Sequence, residues 1–127
     1  MTDQAIEQEI QAKGLTAPRV TPADIEDNIA SEYFFTAGDG VSVEANRAPH
    51  FCYESSLNLL TFCVIVLRNG FTVTGESACA SPENFDAELV RKIARQNAVA
   101  KIWPLMGYQL RCNLAAAKLV DSEGGEA

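Results

Sequence analysis

The sequence predicts an α+β fold with N-terminal helices, a small antiparallel β-sheet and a long C-terminal helix. A run of β-branched and aromatic residues leads into Asn69-Gly70 and continues beyond it, which is the pattern of a hairpin. Apolar residues then recur at helical spacing after Ser81-Pro82. The 127 residues, of which 47% are hydrophobic, suffice for one ordinary core, so we expect a single domain over residues 1–127.

Two helices are expected before the sheet. The first covers residues 4–13, with Gly14 as its C-terminal stop. The second begins at Thr21-Pro22, an N-cap followed by a first-turn proline, and extends to about Ser31. The domain is thus divided into an N-terminal helix (1–14), a helix plus antiparallel sheet (20–80), a long C-terminal helix (81–119) and a flexible tail (120–127).

The sheet is expected to include a short strand over 32–37, a turn at Gly38-Asp39-Gly40 and a second short strand over 41–44. An irregular loop over 46–56 follows. Residues 57–79 carry the strongest β signal, because they are rich in Val, Ile, Thr and Phe.

The hairpin turn sets a predicted register. With Asn69-Gly70 as a two-residue turn, Arg68 lies opposite Phe71 and Val64 lies opposite Gly75. This register gathers apolar residues on one face, which we expect to pack on the long helix. That face holds Phe62, Val64, Val66, Phe71 and Val73.

The long helix is predicted over residues 82–119, with Ser81 as its cap and Pro104 as the point where it kinks or breaks. Its expected core stripe consists of Phe85, Leu89, Ile93, Ala100 and Trp103, widened by Val90, Ala94 and Leu105. A straight helix of this length measures about 57 Å, whereas a compact domain of this size is roughly 36 Å across. The helix must therefore fold back at Pro104 or meet a partner chain, and we expect self-association as a dimer or a larger ring.

Charge is distributed unevenly along the chain. The net charge of −7 argues against general affinity for DNA. Residues 1–60 hold ten acids and three bases, whereas residues 89–120 hold six bases and no acid. The basic segment is either a solvated face that pairs with the acidic half or a local site for a small phosphorylated ligand.

Catalytic and metal-binding motifs are absent from the sequence. The four cysteines match no zinc or redox spacing and are expected to be small apolar packers, and the single histidine supplies a metal site poorly. No phosphate loop or nucleophile elbow occurs. We therefore expect a protein that binds without catalysis, with no metal and no cofactor. Without a membrane span or a signal peptide, the expected location is the cytoplasm.

Five residues are candidates for ligand binding. Phe71 is either an ordinary cross-strand residue or a platform on which a base stacks. Asn84 either helps to cap the long helix or reads polar groups of a ligand. Arg47, Arg95 and Arg111 are either solvated or bind phosphate, since a guanidinium suits bidentate contacts.

Six short motifs follow one another along the chain: Leu60-Thr61-Phe62-Cys63-Val64, Arg68-Asn69-Gly70-Phe71, Glu83-Asn84-Phe85-Asp86, Lys92-Ile93-Ala94, Lys101-Ile102-Trp103 and Gly107-Tyr108-Gln109-Leu110. Together they resemble the Gp49/Gp66 family of small tailed-phage proteins. The likeness covers about residues 20–111. Two positions depart from it: Val90 stands where glycine is expected, and Pro104 where an ordinary helix former is expected.

The resemblance implies a function. One branch of the family looks like the anti-Thoeris sponges, oligomeric phage proteins that sequester a cyclic ADP-ribose isomer made by bacterial TIR enzymes. Some also hold the cyclic oligonucleotides of CBASS at a separate site. By this resemblance, Phe71 matches an adenine-stacking aromatic and Asn84 a polar contact.

The expected function is therefore sequestration of a cyclic nucleotide immune signal in the host bacterial cytoplasm, without cleavage. One alternative is a module that docks on a host or phage protein through its acidic first half. Another is an enzyme that hydrolyses a nucleotide signal.

Overall fold

The computed structural model describes residues 2–15, 17–45 and 52–124, and it has the predicted α+β architecture. Three antiparallel strands, several short helices and one long C-terminal helix follow in the order α1 (Asp3–Ala12), α2 (Pro22–Asp27), β1 (Ile29–Thr36), α3 (Ala37–Ala45), a 3-10 helix (Ser55–Leu59), β2 (Leu60–Leu67), β3 (Thr72–Ala78), a 3-10 turn (Pro82–Asn84) and α4 (Ala87–Gly124).

The chain divides into two compact units. The sheet unit is Ile29–Lys101, and the terminal unit comprises Met1–Asn28 together with Ile102–Ala127. Helix α4 contributes its first part to the sheet unit and its second part to the terminal unit.

Both N-terminal helices form where the sequence predicts them. Gly14 adopts φ +67° and its N–H donates to Gln11 O, while the Leu15 N–H donates to Ile10 O, so α1 ends in a Schellman motif. Thr21 caps α2 in a reciprocal capping box with Asp24. The expected extension of α2 to Ser31 is wrong, because the chain enters β1 at Ile29 and pairs there with β2.

Helix α3 replaces the predicted turn and second strand. The Thr36 hydroxyl accepts from the Asp39 N–H at 3.1 Å, and the Asp39 carboxylate accepts from the Thr36 N–H at 2.9 Å. This capping box starts a helix where Gly38-Asp39-Gly40 predicts a turn, so the expected strand over 41–44 is wrong. The two glycines favour a turn, but the capping box stabilises a helix instead, because it satisfies the backbone N–H groups of both Thr36 and Asp39.

The sheet has the order β1-β2-β3, and its hairpin register differs from the prediction by one residue. Leu67, rather than Arg68, pairs with Phe71, because the Leu67 N–H donates to Phe71 O at 2.8 Å. The loop is therefore the three residues 68–70, with Gly70 at φ +88°, instead of a two-residue turn. The predicted pairing of Arg68 with Phe71 is wrong.

Because of this one-residue difference in register, the side chains of β2 that were predicted to be in the core and those that were predicted to face away from it change places. Cys63, Ile65 and Leu67 are buried, and they share their face with Val73 of β3. The predicted core residues of β2 (Phe62, Val64 and Val66) lie on the opposite face and are half-buried. A register change of one residue moves every side chain of a strand to the other face.

The long helix begins later than expected. Asp86, rather than Ser81, caps it: the Asp86 carboxylate accepts from the Glu88 and Leu89 N–H groups at 3.1 and 3.2 Å. The helix then continues through Pro104 to Gly124, so of the two outcomes expected there, a kink or a break, the break does not occur.

The buried stripe of α4 also differs from the prediction. Val90 and Ala94, which were expected only to widen the stripe, are buried together with Ala98, whereas Leu89 and Ile93, expected at its centre, are 53% and 39% exposed. Small residues fill the stripe because the helix backbone lies directly against the sheet. The largest side chains of this helix segment therefore lie outside the contact.

The terminal unit has its own contacts. Ile25 and Ile102 are buried in it. Arg19 binds Glu7 through two hydrogen bonds, and this pairing with Arg19, aided by Gln11, lowers the pKa of the Glu7 carboxyl to about 2.

Candidate functional site

A cavity of about 270 Å³ opens in the sheet unit beside the start of β2. Strand ends, α3, the 3-10 helix before β2 and the first turns of α4 surround it. Its lining residues are Phe35, Thr36, Asp39, Asn58, Thr61, Phe85, Ala87, Val90 and Arg91.

Thr61 supplies a buried polar group in this cavity. The residue is 3% exposed, and its hydroxyl Oγ1 has no hydrogen-bond partner among the described residues. Thr61 pairs with Thr36 on β1, so both side chains lie on the helix-facing side of the sheet. Buried polar groups in folded proteins are nearly always paired, so Thr61 is an exception among the described residues, and its hydroxyl oxygen has almost no solvent-accessible surface.

Asn58 and Asp39 add two groups with opposite hydrogen-bonding character. Asn58 Oδ1 accepts from the Tyr53 hydroxyl at 3.2 Å, which leaves its amide N–H groups as donors. A Cβ on Gly38 would lie 2.0 Å from Asn58 Oδ1, so Asn58 occupies space that only glycine leaves free. Asp39 uses Oδ2 to accept from the Thr36 N–H, which leaves Oδ1 as an acceptor.

Arg91 supplies the cavity with a positive charge. Two neighbouring bases on α4 are engaged in ion pairs: Lys92 Nζ lies 3.4 Å from Glu88 Oε1, and Arg95 Nε lies 2.7 Å from Glu32 Oε2. Within the described part of the chain, the guanidinium of Arg91 has no such partner. It is therefore available to bind an anion at the cavity.

Phe85 provides the aromatic wall of the cavity. It is half-buried just before α4 begins. Phe35 also lines the cavity, but its ring stacks on Phe62, at a centroid distance of 5.6 Å, on the opposite face of the sheet. A planar ligand in the cavity would therefore meet the ring of Phe85.

The structure does not bring the sequence-predicted site residues into this cavity. Phe71, 55% exposed, follows the hairpin turn, and Asn84 is exposed in the 3-10 turn before α4. Arg95 is paired with Glu32, and Arg111 is exposed on the part of α4 that belongs to the terminal unit. Arg47 lies outside the described residues.

Phe71 and the cavity lie at opposite ends of the hairpin. Thr61 is six residues along β2 from Leu67, the partner of Phe71, which amounts to about 20 Å at roughly 3.3 Å per residue. One small ligand therefore cannot touch both Phe71 and Thr61 of the same chain.

The residues that do form the cavity carry only faint sequence signals. Thr61 is a lone hydroxyl residue in the apolar run from Leu59 to Leu67, which is a usable sign of a buried polar group. The spacing Thr36-x-x-Asp39 is that of a capping box. Nothing in the sequence distinguishes Arg91 from the other bases of the same helix.

The cysteines and the other acids provide no alternative centre among the described residues. No group of three or more His, Cys, Asp or Glu side chains there could hold a metal ion. Cys63 is buried, and burial raises the pKa of its thiol. Cys52 and Cys112 are exposed, so the expectation that all four cysteines are apolar packers is wrong.

None of the described helices, α4 included, combines the length and the apolar character that a bilayer span requires.

Comparison with known proteins identifies the family. Neither the curated proteins nor the solved structures provide a significant match. The model of the phage protein (N4 Gp49/phage Sf6 gene 66) family matches residues 20–114, which is close to the range of the resemblance seen in the motifs. This match covers most of the chain, including the whole sheet unit, and the protein therefore belongs to the phage Gp49/gene 66 family.

Proposed function

We propose that this phage protein is an anti-defence sponge, which binds a cyclic nucleotide immune signal in the host bacterial cytoplasm and holds it without cleavage. The ligand would be the cyclic ADP-ribose isomer of Thoeris or a cyclic oligonucleotide of CBASS. The observation that carries the proposal is the sheet-unit cavity, which is lined by the unpaired Arg91 guanidinium and by the aromatic side chain of Phe85.

Charge supports a small anionic ligand over a nucleic acid. Arg91 offers a bidentate contact to a phosphate group. The net charge of −7 disfavours long polyanions, whose binding requires many phosphate contacts at once. A single guanidinium in an acidic protein therefore suits a ligand with few phosphates.

Size supports partial enclosure of that ligand. Small-molecule sites usually measure about 300–1,000 Å³, and this cavity of about 270 Å³ lies just below that range. It suits one nucleoside portion of the ligand, with the phosphates near Arg91. The rest of a cyclic nucleotide would extend beyond the rim.

A second copy of the chain would pack against an exposed apolar face of the sheet. The sheet face opposite α4, here called the open sheet face, presents Tyr33 at 59% and Phe35 at 40% exposure, flanked by half-buried Phe62 and Val64. Such an exposed apolar face favours self-association. Phe71, Asn84 and Arg111 are exposed, and we assign them to contacts supplied by a neighbouring copy. Arg95 would have to leave Glu32 before it bound phosphate.

The acidic and basic side chains that line the cavity are suited to binding a nucleotide without hydrolysing it. Among the described lining residues, Asp39 is the carboxylate, and its Oδ2 already accepts from the Thr36 N–H in the capping box of α3. General acid–base hydrolysis needs a group within reach of the reacting bond that is free to exchange a proton. Asp39 serves as an acceptor in this arrangement, which suits binding.

The test is a melting experiment with a panel of cyclic ADP-ribose isomers and cyclic di- and trinucleotides. Stabilisation follows RT ln(1 + [L]/Kd), so a ligand at about 1,000 times its Kd adds roughly 4 kcal/mol to the free energy of unfolding. Heat denaturation of the complex should then release the ligand intact, whereas an enzyme would release a product.

Two substitutions of basic residues on α4 test whether the ligand binds at the sheet-unit cavity. Arg91→Gln should reduce the melting shift, while Lys118→Gln, which removes another exposed base of α4, should leave it unchanged. If no compound in the panel shifts the melt, the sponge proposal fails.

A protein-docking module is the second candidate, and the terminal unit provides the observation in its favour. A cavity of about 250 Å³ there is lined by Ile6, Ile10, Val20, Pro22 and Trp103, together with the carboxylates of Asp3 and Glu7. Trp103 Nε1 donates to Asp3 Oδ2 at 3.1 Å. An apolar groove with acidic groups suits a partner segment that carries apolar and basic side chains.

The single tryptophan reports on that groove. Titration with a Leu/Lys amphipathic peptide should shift the Trp103 emission if the groove docks such a segment. An unchanged spectrum at saturating peptide would remove this candidate.

A further inference from the structure

We infer that a second copy of this chain packs in parallel along one side of the second half of α4, as a short coiled coil. The surface is a row of exposed residues in the terminal unit, here called the heptad stripe, which consists of Leu105, Tyr108, Cys112, Ala115 and Leu119. It is separate from the open sheet face that the proposed function gives to a neighbouring copy, and it requires no nucleotide.

The spacing of the heptad stripe is that of a coiled-coil seam. Its members follow one another at intervals of three, four, three and four residues, which is the a/d pattern of a heptad repeat. All five are exposed, and the two largest exposed fractions are 75% for Tyr108 and 65% for Leu119. Side chains at this spacing interlock with those of a second helix, which would remove the stripe from water.

The contacts of α4 within this unit lie on the other side of the helix. Ile102 is buried, and three residues that follow it at intervals of four are half-buried, namely Met106, Leu110 and Leu114. Successive residues of a helix are rotated by about 100°, so this buried row points roughly opposite to the heptad stripe. A helix that is apolar on two opposite sides is normally covered on both, and here one of them is exposed.

Charge favours a second copy as the occupant and selects its direction. Residues 102–120 carry two charged side chains, Arg111 and Lys118, which are seven residues apart and therefore form one line beside the stripe. In a parallel pair, this line lies beside the uncharged Gln109 and Ala116 of the other copy. An antiparallel pair over the same residues would bring the two Arg111 guanidinium groups together. An uncharged stripe thus suits its own copy in the parallel direction.

The length of the stripe indicates how strong the contact is. Leu105 and Leu119 are about 21 Å apart along the helix, at roughly 1.5 Å per residue. Stable interfaces bury about 1,200 Å² or more, and a seam of two heptads is short for that size. We therefore expect a dimer that dissociates on dilution. With the open sheet face as a second self-complementary surface, one chain could link to two neighbours and build a larger assembly.

Sedimentation at increasing concentration tests the stripe in Tyr33→Lys protein, where the contact through the open sheet face is removed. This protein should form a dimer that dissociates on dilution. Tyr108→Glu and Leu119→Glu, which place charges in the seam, should each raise the dissociation constant at least about tenfold. Ala117→Glu, an exposed change on the opposite side of α4, should leave it unchanged. A monomer at every concentration, or equal effects of the three glutamates, would overturn the inference.

The native Cys112 reports the direction of packing. Oxidation with copper phenanthroline should join two copies through Cys112, because residues of the same number face each other in a parallel coiled coil. The protein for this test carries Cys52→Ser, which removes the other exposed thiol among the described residues. Cys112→Ser should abolish the link, and Leu105→Cys added to that variant should restore it. A link through Cys112 but none through Leu105→Cys would overturn the parallel arrangement.

Discussion

Gly75 of β3 lies directly beneath Ala98 of α4: a Cβ on Gly75 would stand 2.2 Å from the Ala98 backbone nitrogen and 2.2 Å from Ala94 O. The helix backbone thus contacts the sheet without an intervening side chain. The amide of Asn97 strengthens the same contact by donating to Glu76 O at 2.8 Å. This approach fixes the start of α4 against the sheet, and with it the wall of the cavity that Val90 and Arg91 form.

Gly75→Ala is therefore expected to destabilise the protein. The added methyl would overlap backbone atoms, which cannot move as a flexible side chain can, and overpacking of this kind has an effect of about 1–3 kcal/mol or more. Chemical denaturation measures it. The matched control is Gly40→Ala in α3, where a Cβ meets nothing within 4 Å and the alanine should stabilise by about 0.4–1 kcal/mol. Equal effects of the two substitutions would contradict the close approach.

Phe71→Ala tests the contact that we assign to a neighbouring copy. If an adenine or another base of the cyclic nucleotide stacks on this ring, the affinity for the cyclic nucleotide should fall by about 1–3 kcal/mol in a calorimetric titration. Unchanged affinity for the cyclic nucleotide would remove Phe71 from the site.

Tyr33→Lys is expected to weaken self-association. Tyr33 is 59% exposed on the open sheet face, so a lysine there should leave the fold intact while placing a charge in the proposed contact between copies. Sedimentation measures the assembly state. Gln96→Lys, an exposed change on α4, serves as the control and should not alter it. The same sedimentation profile for wild type and Tyr33→Lys would show that this face takes no part in assembly.

The Glu7–Arg19 pair predicts a defined dependence of stability on pH. The pKa of Glu7 is lowered from 4.5 to about 2, chiefly by hydrogen bonds from Arg19. A lowered pKa means that the carboxylate stabilises the fold above pH 4.5, and that this contribution is lost as the pH falls towards 2. Glu7→Gln should therefore lower the melting temperature at pH 7 and reduce its decline across that acidic range.

Glu9→Gln is the control for this prediction. Glu9 forms an exposed ion pair with Lys13 on the same helix, at a distance of 3.0 Å, and exposed pairs have little effect on stability. Its acid profile should follow the wild type. The Glu7 prediction fails if the Glu7→Gln and wild-type profiles are parallel between pH 4.5 and 2.

The parts of the fold that the sequence predicts well are those determined by interactions between residues close in sequence. Gly14 ends α1 because glycine adopts positive φ without strain, and Thr21 begins α2 because its side chain pairs with the backbone three residues later. The same holds for the position of the hairpin at Asn69-Gly70. Each of these signals acts between residues that are close in sequence.

By itself, then, the sequence determined the α+β class, the family, the two N-terminal helices and the hairpin, whereas it predicted a strand where α3 forms. The tertiary structure decided the hairpin register, the buried stripe of α4 and the cavity. A three-residue loop instead of a two-residue turn is a small local difference, yet it exchanges the faces of β2, because side chains alternate along a strand. Thr61, Asp39 and Arg91 come from distant segments, and only the close approach of Gly75 to Ala98 decides how the helix that carries Arg91 lies on the sheet.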